Sequence, residues 1–318
     1  MTLYEITPER ATLHGQFSRD LPPALTIESG DTVRYQTLDA GWNVEPRTSR
    51  IPGERPRKFE PRLPDRDAGH ALCGPIAIRG AEPGMTLAVH IGEIIPGTWG
   101  STSTGGQLTP LNERLGVANL SERMSLWEID VAEGVARNQD GFLVPLRPFM
   151  GVMGMPPDEP GWHPSWPPRI CGGNLDCREL VAGSTLYLPI PVRGALFSVG
   201  DGHAAQGDGE VSGTAIECPM ESVDLAFELL PDLHIQTPRA RTPAGWLTLG
   251  FHTDLYEASM RALEAMLDLM IEQHGLERQD AVALASVAVD LRITQLVNAS
   301  VLGVHALLRE GALRRATS

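Results

Sequence analysis

Short stretches of alternating hydrophobic and polar residues run through most of the first 230 positions of the chain. The segment 25–40, LTIESGDTVRYQTLDA, alternates, breaks at Ser-Gly-Asp and alternates again, which predicts a β-hairpin. The segment 74–96 alternates on both sides of a Glu-Pro-Gly turn and predicts two further strands. The segments 184–201 and 211–230 are dense in β-branched and aliphatic residues and are also predicted as strands.

Two regions lack this periodicity. Residues 43–69 are rich in proline and charge and are predicted to form a loop. Residues 98–125 are rich in Gly, Ser and Thr and give no clear secondary-structure prediction. The glycine-rich stretch 200–220 falls between two predicted strands. It is therefore expected at the rim of a sheet or barrel, where functional sites are often placed.

The periodicity becomes helical after about residue 253. One helix is predicted to begin at Thr253 or Asp254 and to end before Gly275, because glycine favours the left-handed conformation that terminates helices. A second helix is predicted over 278–288, and 287–297 alternates again like a strand. The end of the chain is thus expected to combine helices with a strand.

These patterns together predict a mainly β fold, sandwich-like or barrel-like, with an α+β C-terminal part. The β-rich body is expected to span residues 1–230 and to carry the site. The part with two helices and a strand is expected to span 231–318 and to pack on the body. The composition agrees with many short strands and turns, since the chain has 33 Gly and 26 Pro.

The net charge limits which partners the protein is expected to bind, and the cysteines indicate the compartment in which it is expected to lie. The formal net charge is −14 at pH 7, and Lys58 is the only lysine, so the sequence predicts no nucleic-acid partner and no membrane partner. The N-terminal residues MTLYEITPER lack the apolar region of a secretory signal. Four cysteines without CxxC spacing predict buried or free thiols in a cytoplasmic protein; they are Cys73, Cys171, Cys177 and Cys218.

The stretch 200–220, GDGHAAQGDGEVSGTAIECPM, gathers Asp201, His203, Asp208 and Glu210 among glycines. Carboxylate oxygens and an imidazole nitrogen together suit a divalent cation such as Zn²⁺ or Mn²⁺, and extra carboxylates would accept Ca²⁺. Glycine allows positive φ and removes Cβ crowding, so the chain could turn these side chains towards one point. The spacing does not fit an EF-hand. A solvated polar loop is the alternative.

Further candidates lie near glycine pairs or strand ends elsewhere in the chain: Asp39, His70, His163, Asn174 and Asp176. Each has a purely structural alternative, because Asp often caps a turn and a lone His is more often structural than a ligand. Their participation requires convergence in space with the glycine-rich stretch, which residue order alone does not demonstrate.

The run from Gly172 to Met220, GGNLDCREL through IECPM, resembles the acetamidase/formamidase family. The similarity continues upstream through SGDTVRYQTLDA and GPIAIRGAEPGMTLAVHI and downstream through MIEQHGLERQDAVALASVAVDLRITQLV, so it covers roughly residues 25–300. The resemblance implies hydrolysis of small aliphatic amides to a carboxylate and ammonia, with a small amide as the partner molecule. It also implies a largely β fold with an α/β C-terminal part, a bound metal ion and a homo-oligomer, a dimer or higher.

The resemblance carries the polar positions of the family's motifs onto Asp39, His163, Asn174, Asp176, Asp201, His203, Asp208 and Glu210, with a looser match at His70. The chain departs from the family pattern in the segment before His70. It also departs at Trp42, where small residues are usual, and at Asn298, where an acidic residue is frequent. These departures concern the size and nature of the substrate more than the core chemistry.

Amide hydrolysis needs a nucleophile, a stabilised oxyanion and a proton for the leaving nitrogen. Two covalent designs of amidase need a catalytic lysine. Lys58 stands among arginines and prolines in a predicted solvated loop, which disfavours both. A divalent ion needs no lysine, since it lowers the pKa of a bound water, to about 7 in favourable zinc sites. Zn²⁺ is therefore the expected ion, with Ca²⁺ or Mn²⁺ as alternatives.

The hypothesis assigns a role to each candidate residue. The ion ligands are Asp39, His70, Asp176, Asp201 and His203. The catalytic residues are Glu210, which accepts the proton of the water, together with His163 and Asn174. The substrate contacts are Asp208, Gly173 and Gly202. Two alternatives stay open, namely a hydrolase of a larger or cyclic amide or a carbamate, and a non-catalytic metal-dependent binding module.

Overall fold

The computed structural model describes residues 1–51 and 53–315 of the 318-residue chain. The strands are β1 Leu3–Ile6, β2 Leu13–His14, β3 Gln16–Phe17, β4 Leu25–Ile27, β5 Thr32–Thr37, β6 Leu72–Ile78, β7 Thr86–Pro96, β8 Trp99–Thr104, β9 Arg123–Asp130, β10 Val135–Asn138, β11 Leu143–Pro145, β12 Phe149–Gly154, β13 His163–Pro164, β14 Pro168–Arg169, β15 Gly172–Asn174, β16 Thr185–Pro189, β17 Phe197–His203, β18 Met220–Leu230, β19 Arg239–Thr242, β20 Gly245–His252, β21 Val289–Gln295 and β22 Leu302–Arg309. The helices are α1 Pro110–Arg114, α2 Leu255–His274 and α3 Arg278–Ala288.

The largest sheet has nine strands in the order β1-β5-β18-β7-β16-β19-β20-β22-β21. Its longest pair is the antiparallel β7 and β18, with eleven residues in each strand. Buried and more exposed positions alternate along much of β18, because one face of the strand packs on the core. A four-stranded sheet, β11-β10-β9-β8, and the pair β13-β3 complete the smaller β elements.

A second large sheet packs on the first. It has the order β14-β15-β12-β17-β6-β2, with β4 paired to β6. Phe197 of β17 and Phe227 of β18 make an edge contact with ring centroids 5.1 Å apart, and residues of both sheets belong to one buried cluster. Strands β12 and β17 are buried along their whole length. This sandwich-like packing confirms the predicted mainly β class.

The predicted hairpin over 25–40 is wrong, although both of its strands are present. Strand β4 pairs in parallel with β6, whereas β5 pairs with β1 and β18 of the other sheet. Between them, Gly30 has a φ of 94° and donates its N–H to the Phe227 carbonyl at 2.6 Å. The turn therefore carries the chain from one sheet to the other. Alternation locates a strand, but packing of its hydrophobic face selects the partner.

The other predictions for this part of the chain are correct for two segments, and one segment without a prediction contains regular structure. The two strands expected in 74–96 are β6 and β7, which also lie in different sheets. The described part of 43–69 contains no helix or strand beyond an isolated bridge, as predicted for a loop. The unassigned region 98–125 contains β8, α1 and the start of β9.

The C-terminal helices lie where the sequence pattern places them. Asp254 caps α2, with Oδ1 accepting the N–H of Glu257 at 3.0 Å, and Gly275 ends it with a φ of 61°. Helix α3 and strand β21 also match the prediction. Strands β19, β20 and β22 were not singled out by the pattern. They extend the nine-stranded sheet, and α2 packs on β20 and β22.

Within the described residues, no helix combines the length and the apolar character needed to cross a bilayer. The four cysteines are all buried and free, as the sequence predicted. Burial raises the pKa of the Cys73 thiol to about 12 and that of Cys177 to about 12, so these thiols are protonated at neutral pH.

Candidate functional site

A cavity of about 740 Å³ gathers polar side chains from distant parts of the chain. Six of its lining residues are Asp39, His70, Asn174, Asp201, Glu210 and Glu217. A second cavity, of about 430 Å³, shares Glu210 with the first. The sequence-distant candidates therefore converge, which is the condition that residue order could not supply.

Three adjacent strands hold the centre of the site. Strand β12 lies between β15, which ends at Asn174, and β17, which ends at His203. Gly151 of β12 sits at the point of closest approach, since a Cβ atom there would be 2.6 Å from both Asp176 Oδ1 and Asp201 Oδ2. Glycine at this position lets two carboxylates approach one strand from either side.

His203 is the imidazole at the centre of the cluster, and it is fully buried. Its Nε2 lies 3.2 Å from Asp201 Oδ1, with which it hydrogen-bonds, and 3.2 Å from Glu217 Oε2. Its Nδ1 lies 3.9 Å from Asp176 Oδ1. Both ring nitrogens of His203 thus lie near carboxylate oxygens.

The backbone at three of the site carboxylates has a left-handed conformation. The φ angles are 45° at Asp176, 61° at Asp201 and 45° at Glu210. Residues with a Cβ adopt this region infrequently, and such conformations concentrate at functional sites when the surrounding structure enforces them. Here the conformation is adopted at three residues whose side chains meet around His203.

Five buried polar atoms of the cluster have no hydrogen-bond partner among the described residues: Asn174 Oδ1, Asp176 Oδ1, His203 Nδ1, Glu210 Oε2 and Glu217 Oε2. Buried polar atoms in folded proteins are nearly always paired, so a group of unpaired ones needs an explanation. Four of the five are oxygens, and the fifth is an imidazole nitrogen. This donor set is suited to a cation.

Burial and mutual repulsion raise the pKa values of several carboxyls in the cluster. Burial, assisted by the charge of Asp201, raises the pKa of Asp176 to about 7. Burial raises the pKa of Glu217 to about 8, although the charge of His203 opposes it. Burial and the charge of Asp176 raise the pKa of Glu210 well above its usual value. Without a further positive charge, these groups favour the protonated form.

The remaining two groups form an ion pair. Burial acts to raise the pKa of Asp201, but the charges of His203 and His70, together with hydrogen bonding to His203 and Glu217, outweigh it and hold that pKa below its usual value. Burial acts to lower the pKa of His203, but the carboxylates of Glu217 and Asp201 raise it well above its usual value. Asp201 and Glu217 each lie 3.2 Å from Nε2 of His203 and share this imidazolium, whereas Asp176 Oδ1 is 3.9 Å from Nδ1.

Two overlapping groups of three residues could hold a metal ion, because one donor atom of each member lies within 4.8 Å of the others. The first is Asp176, His203 and Glu210, and the second is Asp201, His203 and Glu217. Imidazole and carboxylate donors suit Zn²⁺ and Mn²⁺, and a carboxylate-rich set also suits Ca²⁺.

Asp39 and His70 lie in the wall of the cavity beside this centre. Both oxygens of Asp39 accept hydrogen bonds from Asn43, from the backbone N–H at 2.7 Å and from Nδ2 at 2.6 Å. Nδ1 of His70 hydrogen-bonds with Ser165 Oγ at 3.0 Å. Neither residue belongs to the two groups of potential ligands, so their predicted role as ligands remains a prediction.

Six of the predicted residues do not line the main cavity: Asp176 and His203, which belong to the buried cluster itself, and four others. His163 pairs with Phe17 and hydrogen-bonds with the Glu159 carbonyl at 3.1 Å. Asp208 lies in the second cavity, 3.8 Å from Arg292. The other two are glycines at tight packing positions: a Cβ at Gly202 would be 2.7 Å from Met220, and one at Gly173 would be 3.2 Å from the Pro167 carbonyl.

Three residues of the site were missed by the sequence reasoning. Glu217 is a single acid between Ile216 and Cys218 and lies outside the glycine-rich part of the motif. Gly151 was one glycine among many. Asn298 was noted only as a departure, yet its Nδ2 donates to Asp176 Oδ2. No local pattern identifies these residues, because their roles arise from contacts across strands.

Lys58 lies in an exposed loop, as predicted, but it has a position that the sequence did not indicate. It is exposed, but it lines the main cavity, as do Arg47, Arg55 and Arg62 from the same loop. No hydrogen bond or ion pair to another described residue involves its amino group. The loop therefore adds a positively charged wall to the cavity.

A model of the Acetamidase/Formamidase family matches residues 4–160 and 164–307 of the chain. A putative formamidase of Schizosaccharomyces pombe is 26% identical over 258 residues, which are 64% of this chain and 60% of that protein. A formamidase of Methylophilus methylotrophus is 26% identical over 249 residues, 63% of this chain and 60% of that protein. The matched part thus spans about 60% of the length of these curated relatives.

The fold is similar to solved structures over nearly its whole length. The crystal structure of an acetamidase from Bacillus halodurans superposes with a TM-score of 0.82 at 26% identity, covering 96% of this chain and 97% of that one. The arrangement of sheets and the C-terminal α+β part are therefore shared with that protein.

Proposed function

The chain belongs to the acetamidase/formamidase family, and on this premise we propose that it is an amidase that hydrolyses linear amides to a carboxylate and ammonia. The reaction takes place in the main cavity, at the cluster around His203. The observation that carries the proposal is the group of five unpaired buried donor atoms in this cluster. Buried polar atoms are nearly always paired, so such a group favours a partner that the polypeptide does not supply.

A divalent cation fits the cluster, with Zn²⁺ preferred and Mn²⁺ or Ca²⁺ as alternatives. The residues that would hold it are Asp176, Asp201 and His203, with Glu217 close by. The donor chemistry supports this assignment, since three carboxyls with raised pKa values crowd around one imidazole. When bound, such an ion polarises a carbonyl and lowers the pKa of a water molecule.

Asp201 positions the imidazole of His203. Its Oδ1 hydrogen-bonds with Nε2, which leaves Nδ1 directed towards Asp176. In the neutral ring that binds a cation, a hydrogen bond to one ring nitrogen fixes the tautomer and the ring orientation, so the other nitrogen is presented consistently. Asn298 holds Asp176 in the same way, through its donation to Oδ2.

Glu210 serves as the proton acceptor and donor. It lines the main cavity, and its Oε2 has no hydrogen-bond partner among the described residues. Its raised pKa suits a group that accepts a proton from water and later delivers it to the leaving nitrogen. Asn174 lines the same cavity, and its amide nitrogen would donate to the developing oxyanion.

The proposal is tested by ammonia release from formamide, acetamide and propionamide, with urea, the diamide of carbonic acid, as the comparison. Cation-loaded wild-type protein is expected to release ammonia from the amides. Glu210→Gln is expected to lower turnover by about 10²- to 10⁴-fold, the usual contribution of a general acid–base. Glu221→Gln, the same change at an exposed position of β18, is the matched control and should leave turnover unchanged.

The absence of ammonia from every amide tested would contradict the proposal. Cation binding without turnover would then favour the non-catalytic binding module. Normal turnover by Glu210→Gln would leave the reaction class in place but would remove Glu210 as the acceptor.

A further inference from the structure

The main cavity has two walls of opposite charge. One wall contains three carboxylates of the cluster around His203, and the other is formed by the loop that carries four basic residues: Asp201, Glu210 and Glu217 on the first, and Arg47, Arg55, Lys58 and Arg62 on the second. The chain as a whole is acidic, with 26 basic against 40 acidic residues. Four basic side chains at one cavity therefore oppose the general charge of the protein, and such clusters focus a positive potential within a cleft.

The basic wall is only partly neutralised by the protein. Arg55 forms an ion pair with Glu122 at 3.2 Å, and Arg47 donates to the Ser49 carbonyl at 2.8 Å. Lys58 has neither a hydrogen bond nor an ion pair with the described residues. Arg55 is thus balanced by a carboxylate, Arg47 is held by backbone carbonyls that carry no net charge, and the Lys58 amino group has no partner among the described residues.

Arg62 is the second incompletely paired cation. It donates from Nη2 to the Asp67 carbonyl, and its guanidinium lies 4.4 Å above the ring of Trp42. Its Nε has no partner among the described residues, and its guanidinium forms no ion pair with a described carboxylate; its backbone N–H donates to Glu60 Oε2 at 3.1 Å. The buried indole of Trp42 holds the guanidinium in place through a cation–π contact.

The local electrostatics agree with this geometry. Burial lowers the pKa of Lys58, the charges of Arg62 and Arg55 lower it further, and Asp39 acts in the opposite direction. Both oxygens of Asp39 are already engaged by Asn43. The positive charges of this wall therefore repel one another, and an anion placed between them would relieve the repulsion.

We propose that the preferred substrate is a linear amide that also carries a carboxylate, with the carboxylate bound by Lys58 and Arg62 and the amide at the cluster around His203. This inference rests on the proposed amidase activity and adds its substrate class. The reaction remains simple hydrolysis: water adds to the carbonyl carbon, the C–N bond breaks, and the nitrogen leaves as ammonia. The distal carboxylate is unchanged.

The size of the cavity supports a substrate larger than formamide or acetamide. Its volume of about 740 Å³ lies within the range of about 300–1,000 Å³ that binds molecules of drug size. A two-carbon amide would leave most of this space and the whole basic wall without contacts. A monoamide of a dicarboxylic acid would reach from one wall towards the other.

The test compares succinamate with pentanamide, a neutral amide of similar length, by ammonia release from the cation-loaded protein. A charge-assisted contact predicts that kcat/KM is about tenfold to a hundredfold higher for succinamate. The difference should appear mainly in KM and shrink as salt is added. Lys58→Met should reduce the succinamate-to-pentanamide ratio about tenfold.

Arg57→Gln is the matched control. It removes one positive charge from the same loop, but Arg57 pairs with Glu45 and is not in the cavity wall. The ratio should be unchanged in this variant. Equal kcat/KM for the two amides, or the same effect from Lys58→Met and Arg57→Gln, would overturn the inference.

Calorimetric titration with the same two amides separates this inference from the proposed activity. If neither amide releases ammonia, the proposed amidase function fails. Tighter binding of succinamate that is lost in Lys58→Met would still support the anion site. Equal or undetectable binding of both amides would reject it.

Discussion

Nδ1 of His203 and Oδ1 of Asp176 face each other across 3.9 Å, both buried, and neither has a hydrogen-bond partner among the described residues. The distance is too long for a hydrogen bond and short enough for both atoms to contact one ion. Nε2 on the other side of the ring is engaged by Asp201. An ion bound between these two atoms would give both of them the partner that the described residues do not supply.

The close approach at Gly151 gives the first prediction. Gly151→Ala places a methyl group 2.6 Å from Asp176 Oδ1 and from Asp201 Oδ2, so the carboxylates must separate. We expect kcat/KM to fall by about a hundredfold, because displacement of catalytic groups by about 1 Å has effects of this size. The measurement is ammonia release together with metal content by elemental analysis.

Gly207→Ala provides the comparison for this variant. No atom lies within 4 Å of a Cβ built there, so activity and metal content should stay close to wild type. An active, metal-replete Gly151→Ala protein would show that the two carboxylates do not act together.

Asn298 gives the second prediction. Its Nδ2 donates to Asp176 Oδ2, so Asn298→Asp replaces a donor by a further carboxyl beside a crowded cluster. In chelator-treated protein we expect the free energy of unfolding to fall by about 1 to 3 kcal/mol, the usual effect of an unpaired buried polar group. With cation present the loss should be smaller, because the ion offsets the added charge.

Asn298→Ala separates charge from loss of the hydrogen bond. It removes the donor without adding a carboxyl, so its effect on urea unfolding should be similar with and without cation. Identical behaviour of the two variants under both conditions would contradict the electrostatic explanation.

His14 gives a prediction about pH and stability that is independent of the site. Its Nδ1 hydrogen-bonds with the Gln16 carbonyl at 2.8 Å and its Nε2 with Ser198 Oγ at 2.9 Å. Burial lowers the pKa of His14 from 6.5 to about 4, although the bond to Gln16 opposes the change, and Arg66 adds to the lowering. The folded protein therefore holds the neutral ring.

The direction of the pH effect on stability follows from the linkage between proton binding and folding. Because the folded pKa lies below the unfolded one, the unfolded chain binds the proton more readily, and stability is lost as pH falls from about 6.5 towards 4. The loss is about 3 kcal/mol at about 1.4 kcal/mol per pKa unit. The free energy of unfolding is measured by urea denaturation of wild type and His14→Gln at pH 7, 6, 5 and 4. The difference between the two proteins should shrink by this amount as the pH falls. A difference in the free energy of unfolding that does not change with pH would contradict a neutral His14 in the folded protein.

The sequence predicted the elements better than their partners. Helix α2 was located at both ends because Asp254 and Gly275 are local signals with a direct mechanism. The strands β4 and β5 were also located, but their hairpin was not formed, because each buries its hydrophobic face in a different sheet. Pairing is a tertiary property, and alternation along one segment does not encode it.

The site residues that a local sequence pattern marks were predicted, and those that only tertiary contacts bring to the site were missed. Asp201, His203 and Glu210 were found because one glycine-rich stretch holds them, and Asp176 because a second such stretch holds it. Glu217 has no such local mark, and its place beside Nε2 of His203 depends on the path of the chain between β17 and β18. The positive wall at Lys58 was missed for a related reason, since a charged loop without periodicity gives no indication of the surface it covers.

The central claim is that a divalent cation occupies the cluster around His203 and is required for amide hydrolysis. The most direct measurement removes all metal with chelator, titrates Zn²⁺ back, and follows bound metal per chain together with ammonia release from succinamate and acetamide. The account predicts that activity is absent in the stripped protein and rises in proportion to occupancy up to one ion per chain, with no recovery in Asp176→Ala. Full hydrolysis by the stripped protein, or tight metal binding unaffected by Asp176→Ala, would contradict it.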